Sequence, residues 1–128
     1  MSLKDQLSVV VVDDMSVSRG LILNALEQIG IGHVAALADG PTAFDHIARK
    51  GCHLVISDQN MPGMSGVELL AKLRQHAPTA RVGFILISGT MTRELIETGR
   101  QFGLNNFLAK PFDANKVRDC IEAVVGRL

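Results

Sequence analysis

Runs of apolar residues alternate with amphipathic stretches from one end of the chain to the other. Ser8-Val9-Val10-Val11-Val12 is continuous and β-branched, the pattern of a strand buried on both faces of a sheet. Leu54-Val55-Ile56 and Phe84-Ile85-Leu86-Ile87 repeat it, and His33 to Leu37 and Phe107-Leu108-Ala109 are shorter, weaker strands. Between them the period becomes helical. Val17, Leu21, Ala25 and Ile29 form one stripe, closed by Gly30 at the place of a helix C-terminal glycine. Ala43, Phe44, Ile47 and Ala48 form a second stripe, and Val67, Leu70 and Leu73 a third, with Glu68, Lys72 and Gln75 on the wet side. Leu95, Ile96, Gly99 and Phe102 form a fourth, and Val117, Ile121 and Val124 a fifth. Five strand-helix units in alternation predict an α/β fold, a parallel five-stranded sheet with helices on both faces. No repeat, charge block or low-complexity linker interrupts the pattern, so residues 1–128 are read as one domain.

Composition removes several classes of function. The 128 residues are 47% hydrophobic and 20% charged, which supplies one core and argues against disorder. Thirteen Lys and Arg balance thirteen Asp and Glu, so no net field draws in nucleic acid or an anionic membrane. The apolar runs fall far short of the roughly 20 residues that span a bilayer, and the N-terminus has nothing resembling a secretion signal. Cys52 and Cys120 are too few for a disulfide framework or a four-cysteine zinc site, and are expected to be buried small hydrophobes in a reducing cytoplasm. Trp and Tyr are absent.

In an open α/β sheet, ligands bind beyond the carboxyl ends of the strands, so the residues just past each strand are the informative ones. The first strand runs into Asp13-Asp14, and the third ends at Ser57-Asp58 ahead of the loop Gln59-Asn60-Met61-Pro62-Gly63. The fourth ends at Ser88-Gly89-Thr90 and the fifth at Lys110-Pro111. Three carboxylates, a hydroxyl and an ammonium are thereby delivered to one edge. Helix capping would account for Asp14 or Ser88 taken singly, but not for a doubled acid or for Lys110. Two carboxylates about 4 Å apart repel by roughly 4 kcal/mol at an effective dielectric near 20. With a third, either one takes up a proton or the cluster holds a cation. Hard oxygens without neighbouring His or Cys favour Mg²⁺ or a similar ion. Metal and Lys110 together neutralise the acids and leave room for a phosphoryl group on one of them.

Taken together, Asp13-Asp14, the loop from Asp58 through Met61-Pro62-Gly63-Met64-Ser65-Gly66, Ser88-Gly89 and Lys110-Pro111-Phe112 resemble the receiver domains of two-component response regulators, over essentially the whole chain. The resemblance implies a doubly wound, flavodoxin-like sandwich with strand order 2-1-3-4-5. It implies that Asp58 is the phosphoacceptor, a carboxylate nucleophile forming an aspartyl phosphate. Asp13, Asp14 and Asp58, with the backbone carbonyl of Asn60, would hold Mg²⁺. Lys110 would grip a phosphoryl oxygen, Ser88 would donate to another, and Gly89 would leave the acceptor accessible. Asn60 and Thr90 would flank the path of water and set the phosphoryl lifetime, and Lys110-Pro111 would be a cis peptide. Phe107 would be the aromatic switch, expressed on the face of the fourth predicted helix, fifth strand and fifth helix. The implied protein is a cytoplasmic, monomeric signalling switch and not an enzyme, a stand-alone receiver of the chemotaxis type or a phosphorelay intermediate. Its partners would be a histidine kinase or phosphotransfer protein and a downstream protein target.

Competing signals are weaker. Gly30-Ile31-Gly32-His33-Val34-Ala35 matches a dinucleotide fingerprint but precedes a strand instead of coming after one. His33, His46, His53 and His76 lack metal spacing, and Met61 and Met64 read as loop packing. A phosphohydrolase of the haloacid dehalogenase type would need an acid at position 60 and Thr or Val at 62, where this chain has Asn60 and Pro62. A flavodoxin would need a phosphate-cradling loop after the first strand. A phosphate sink without output is the remaining alternative.

Overall fold

Every apolar run becomes a strand. β1 (Ser8–Val12), β2 (His33–Leu37), β3 (Leu54–Asp58), β4 (Gly83–Ser88) and β5 (Asn106–Ala109) pair in parallel in the order β2-β1-β3-β4-β5. This is the doubly wound, flavodoxin-like order that the family resemblance implies. The chain reverses its direction of winding between β1 and β3, which opens a crevice at their carboxyl ends. The computed structural model describes residues 2–128.

The helices are α1 (Leu3–Gln6), α2 (Ser16–Ile29), α3 (Gly40–Lys50), α4 (Gly66–Gln75), α5 (Arg93–Gln101) and α6 (Ala114–Val125). The short α1, which the apolar pattern does not predict, buries none of its side chains and is held by a capping box between Ser2 and Asp5. Adjacent strand residues point to opposite faces. Val9, Val11, Leu54, Ile56, Ile85, Ile87 and Leu108 therefore pack under α2 and α6, against Ile22, Leu26, Ile29, Val117 and Ile121. Val10, Val12, Val55, Phe84 and Leu86 pack on the other side against Ala43, Ile47, Leu69, Leu70 and Leu73 of α3 and α4. Each helix after α2 starts on a side chain that accepts from its first turn: Asp39 for α3, Ser65 for α4, Thr92 for α5 and Asp113 for α6.

Two stripes differ from expectation. On α2 the buried positions are Ile22, Ala25, Leu26 and Ile29, whereas Val17 and Leu21 are 77% and 57% exposed. Steps of four residues turn through about 400°, so the series Ile29, Ala25, Leu21, Val17 drifts roughly 40° per step away from the core. On α5 only Gly99 is buried; Leu95 and Ile96 are half-buried and Phe102 is exposed. At Gly99 a Cβ would lie 2.8 Å from Leu104 Cδ2, so glycine lets Leu104 pack close against α5. Cys120 is buried as expected, but Cys52 is only half-buried.

Candidate functional site

The crevice collects the predicted residues. Asp13 follows the last residue of β1 and is fully buried; Asp58 closes β3 and is 5% exposed; Asp14 is exposed at the rim. One carboxylate oxygen from each of the three lies within 4.8 Å of the others. Lys110, just past β5, reaches across with its Nζ 2.9 Å from Asp58 Oδ1, and the Lys110-Pro111 peptide is cis. One ammonium against three carboxylates leaves the crevice anionic.

Local bonding shows how the loop after β1 is shaped. The Asp13 amide donates to the Leu37 carbonyl of β2 at 3.1 Å. Asp13 Oδ1 accepts from the Met15 amide at 3.0 Å, turning the chain into α2. Arg19 Nη1, from the first turns of α2, donates to the Asp13 carbonyl at 2.8 Å. Asp13 Oδ2 has no partner although it is buried. A buried carboxylate oxygen without a donor is costly, and this one sits among two further carboxylates. The donor set is all hard oxygen, so the arrangement fits an oxygen-seeking divalent cation such as Mg²⁺.

The loop after β3 is equally constrained. The Gln59 amide donates to the Ile87 carbonyl at 2.9 Å, and the Gly66 amide donates to the Gln59 carbonyl at 3.0 Å. Gln59 Oε1 accepts from the Val67 amide at 3.0 Å, tying the phosphoacceptor candidate's neighbour to the start of α4. A Cβ at Gly66 would lie 2.6 Å from the Asp58 carbonyl oxygen and 2.6 Å from Leu86 Cδ1, so only glycine lets α4 approach so closely. Asn60 lies exposed in this loop. Ser57 Oγ is buried and donates to the Asp58 carbonyl at 2.9 Å.

Ser88 ends β4 beside Asp58, and its hydroxyl is engaged elsewhere. Ser88 Oγ donates to the Thr90 carbonyl at 3.1 Å and accepts from the Thr90 amide at 3.0 Å, holding the loop to Thr90 in a small turn. A Cβ at Gly89 would meet nothing within 4 Å, so packing does not demand glycine there. Phe107 is half-buried on β5 and lines an open groove of about 620 Å³ with Leu108, Lys110, Lys116, Asp119 and Cys120. The face expected to switch, that of the fourth predicted helix, fifth strand and fifth predicted helix, corresponds to α5, β5 and α6.

The structure places Asp13, Asp14, Asp58, Ser88 and Lys110 at the carboxyl edge of the sheet, where the sequence reading had set them. That reading missed Arg19, Gln59 as a tie to α4, and the steric demand at Gly66. Arg19 had one visible signal, a long cation four residues beyond the acidic loop's exit. The exposure of Val17 and Leu21 was hidden by their helical spacing, and Met15 was not singled out.

The carboxyl edge of this doubly wound sheet thus gathers three acids around one lysine, a set of groups that fits a divalent cation. The family model for the response regulator receiver domain matches residues 9–122. The chain belongs to that family, whose members are signalling proteins. A probable chemotaxis protein CheY from Rhizobium etli is 38% identical over 128 residues, covering 100% of this chain and 99% of that protein. Among solved structures, chemotaxis protein CheY4 of Vibrio cholerae matches with a TM-score of 0.86 at 25% identity, over 92% of this chain and 98% of that one. The receiver domain of a sensor histidine kinase from Pseudomonas aeruginosa, solved with magnesium coordinated in its active site cleft, matches with a TM-score of 0.84 at 24% identity, over 94% of this chain and 98% of that one.

Proposed function

We propose that this chain is a phosphoryl-accepting switch of the chemotaxis type, which takes a phosphoryl group from a phosphohistidine protein onto Asp58 and signals through the α5-β5-α6 face. The observation that carries the reading is the juxtaposition of Asp58 with Lys110 and with the orphaned Asp13 Oδ2. In the transfer, an Asp58 carboxylate oxygen forms a bond to phosphorus while the bond from phosphorus to the donor imidazole nitrogen breaks, its electron pair staying on the imidazole. Asp13, Asp14 and Asp58, with the Asn60 carbonyl, are the groups that would hold Mg²⁺. When bound, the ion supplies charge neutralisation and alignment for in-line attack. Lys110 follows a phosphoryl oxygen as a compact point charge. Ser88 leaves the Thr90 backbone for another phosphoryl oxygen, the loop to Thr90 is released, and Phe107 turns inward into the space vacated. Asn60 and Thr90, both exposed at the crevice mouth, set how readily water reaches the acyl phosphate.

The donor has an apolar approach. Met15, which follows Asp13-Asp14 in the chain, is 61% exposed, and Val17 and Leu21 are exposed apolar residues of α2. The reading places the protein in the cytoplasm; no described helix is long and apolar enough to cross a membrane.

The test is intact-mass spectrometry after incubation with Mg²⁺ and a small acyl phosphate. One phosphoryl adduct is expected, abolished by Asp58→Ala and by chelator. An undiminished adduct in Asp58→Ala refutes the assignment.

A further inference from the structure

Arg19 is the one cation besides Lys110 with a bond into the acidic crevice among the described residues, and the phosphoryl-switch reading gives it no role. Its guanidinium does not pair with a carboxylate. Nη1 donates instead to the backbone carbonyl of Asp13, at 2.8 Å. That carbonyl lies just beyond β1, past the last β1 residue registered with β3 (Val12, opposite Ser57). Asp13 is therefore held at three points: its amide on Leu37, its Oδ1 on the Met15 amide, and its carbonyl on Arg19. The point left free is Oδ2, buried and without a partner.

We infer that Arg19 is a positioning residue for the divalent-cation site, fixing the peptide after β1 so that the unpartnered Asp13 carboxylate oxygen stays aimed into the crevice. The inference rests on the proposed binding of Mg²⁺ by the three acids. Two physical effects of Arg19 have opposite signs, which makes it testable. As a charge, a guanidinium near three carboxylates competes with a divalent cation, so its removal should tighten binding. As an anchor, it orients the residue that supplies a ligand, and partners of this outer kind are worth on the order of tenfold or more in metal affinity. The anchor wins, because without the bond nothing holds the Asp13 carbonyl, and the turn into α2 rests on the Asp13 side chain and on the amide's bond to Leu37 alone.

The experiment is calorimetric titration of Mg²⁺ into the unphosphorylated protein at fixed ionic strength, with Arg19→Ala, Arg19→Met and Arg19→Lys beside the parent. Arg19→Met keeps the aliphatic stem and serves where Arg19→Ala fails to fold. Weakening of about tenfold is expected for Ala and Met, with partial recovery in Lys, which keeps a cationic donor without the guanidinium's geometry. Faster amide exchange at Met15 should accompany it, since the Asp13 turn loosens. A role in stability alone would lower the melting temperature in chelator and leave the Mg²⁺ affinity unchanged. Equal or tighter Mg²⁺ binding in both Ala and Met overturns the inference. If the parent itself takes up no Mg²⁺, the metal-site reading fails, and this inference fails with it; a parent that binds beside unaffected variants refutes the inference alone.

Discussion

Asp13→Asn should make the metal-free protein more stable, although Asp13 is fully buried. Its carboxylate oxygen lies within 4.8 Å of one on Asp58. At that separation two unit charges repel by about 3.5 kcal/mol at an effective dielectric of about 20. Asp14 is exposed, and water screens most of its share. Against the relief stands the lost attraction between Asp13 and the Lys110 ammonium, which remains paired with Asp58 at 2.9 Å. Asparagine is the right probe because its Oδ1 still accepts from the Met15 amide, as the Asp13 Oδ1 does. Its Nδ2 replaces the orphaned Oδ2 with a donor facing two carboxylates. The balance is a gain of about 1–3 kcal/mol, or several degrees in Tm for a domain of this size. The chain has neither Trp nor Tyr, so urea unfolding is followed by far-UV circular dichroism. In chelator the midpoint should rise with the slope unchanged. Millimolar Mg²⁺ should then stabilise the parent and leave the variant nearly unmoved, narrowing or inverting the order. A variant less stable than the parent in chelator would refute the electrostatic reasoning.

Three further outcomes are expected. Gly66→Ala should cost about 1–3 kcal/mol, read by urea unfolding, because its Cβ meets the Asp58 backbone oxygen and Leu86 at 2.6 Å; Gly40→Ala, which meets only the Met64 side chain, should cost less. Ser88→Ala should still accept a phosphoryl group on Asp58 but lose the change in hydrogen exchange between Thr90 and Phe102 when Mg²⁺ and beryllofluoride bind; a full change in the variant would remove Ser88 from the switch. Burial pushes the Cys52 and Cys120 thiols up to about 11, so both should react slowly with iodoacetamide at mildly alkaline pH. Because these thiols ionise more easily in the unfolded chain, stability should begin to fall as pH passes about 9, the loss growing until about 11.

The strands were legible because β1, β3 and β4 are buried on both faces and carry unbroken apolar runs, a signal independent of register. The strand order was not in the pattern; it came with the family resemblance, and the pairing agrees with it. Helix faces were less legible. Any helix offers several spacings that look like a stripe, and on α2 the set containing Val17 competed with the set containing Ile22 and Leu26, which faces the sheet. The acids and Lys110 were visible because charge at strand ends is rare enough to stand out. Arg19 was not, since its partner is a backbone carbonyl, and a carbonyl has no letter in the sequence. Gly66 was legible only as part of a motif; its reason, the approach of α4 to the Asp58 backbone, exists only in three dimensions.

The carboxyl edge of the sheet is also where the chain departs from what stability alone would choose. The helices α3 to α6 each begin on an Asp, Ser or Thr that accepts from the first turn, but α2 begins on Met15, which accepts from no backbone amide through its side chain. A capping side chain in that place is worth about 1 kcal/mol. Asp13 closes the turn with Oδ1 alone, which frees Oδ2 from capping. Met15, Val17 and Leu21 then lie exposed on the first turns of α2, next to Asp14. Three departures from local preference, an uncapped helix, an unpartnered buried oxygen and exposed apolar side chains, therefore gather at the start of α2. Burial cannot explain them, because α2 meets its core requirement with Ile22 and Leu26 further along the helix. A cation at Asp13 Oδ2 and an apolar partner on Met15 would each offset one of these costs, and both would arrive at the carboxylate that Lys110 already holds in place.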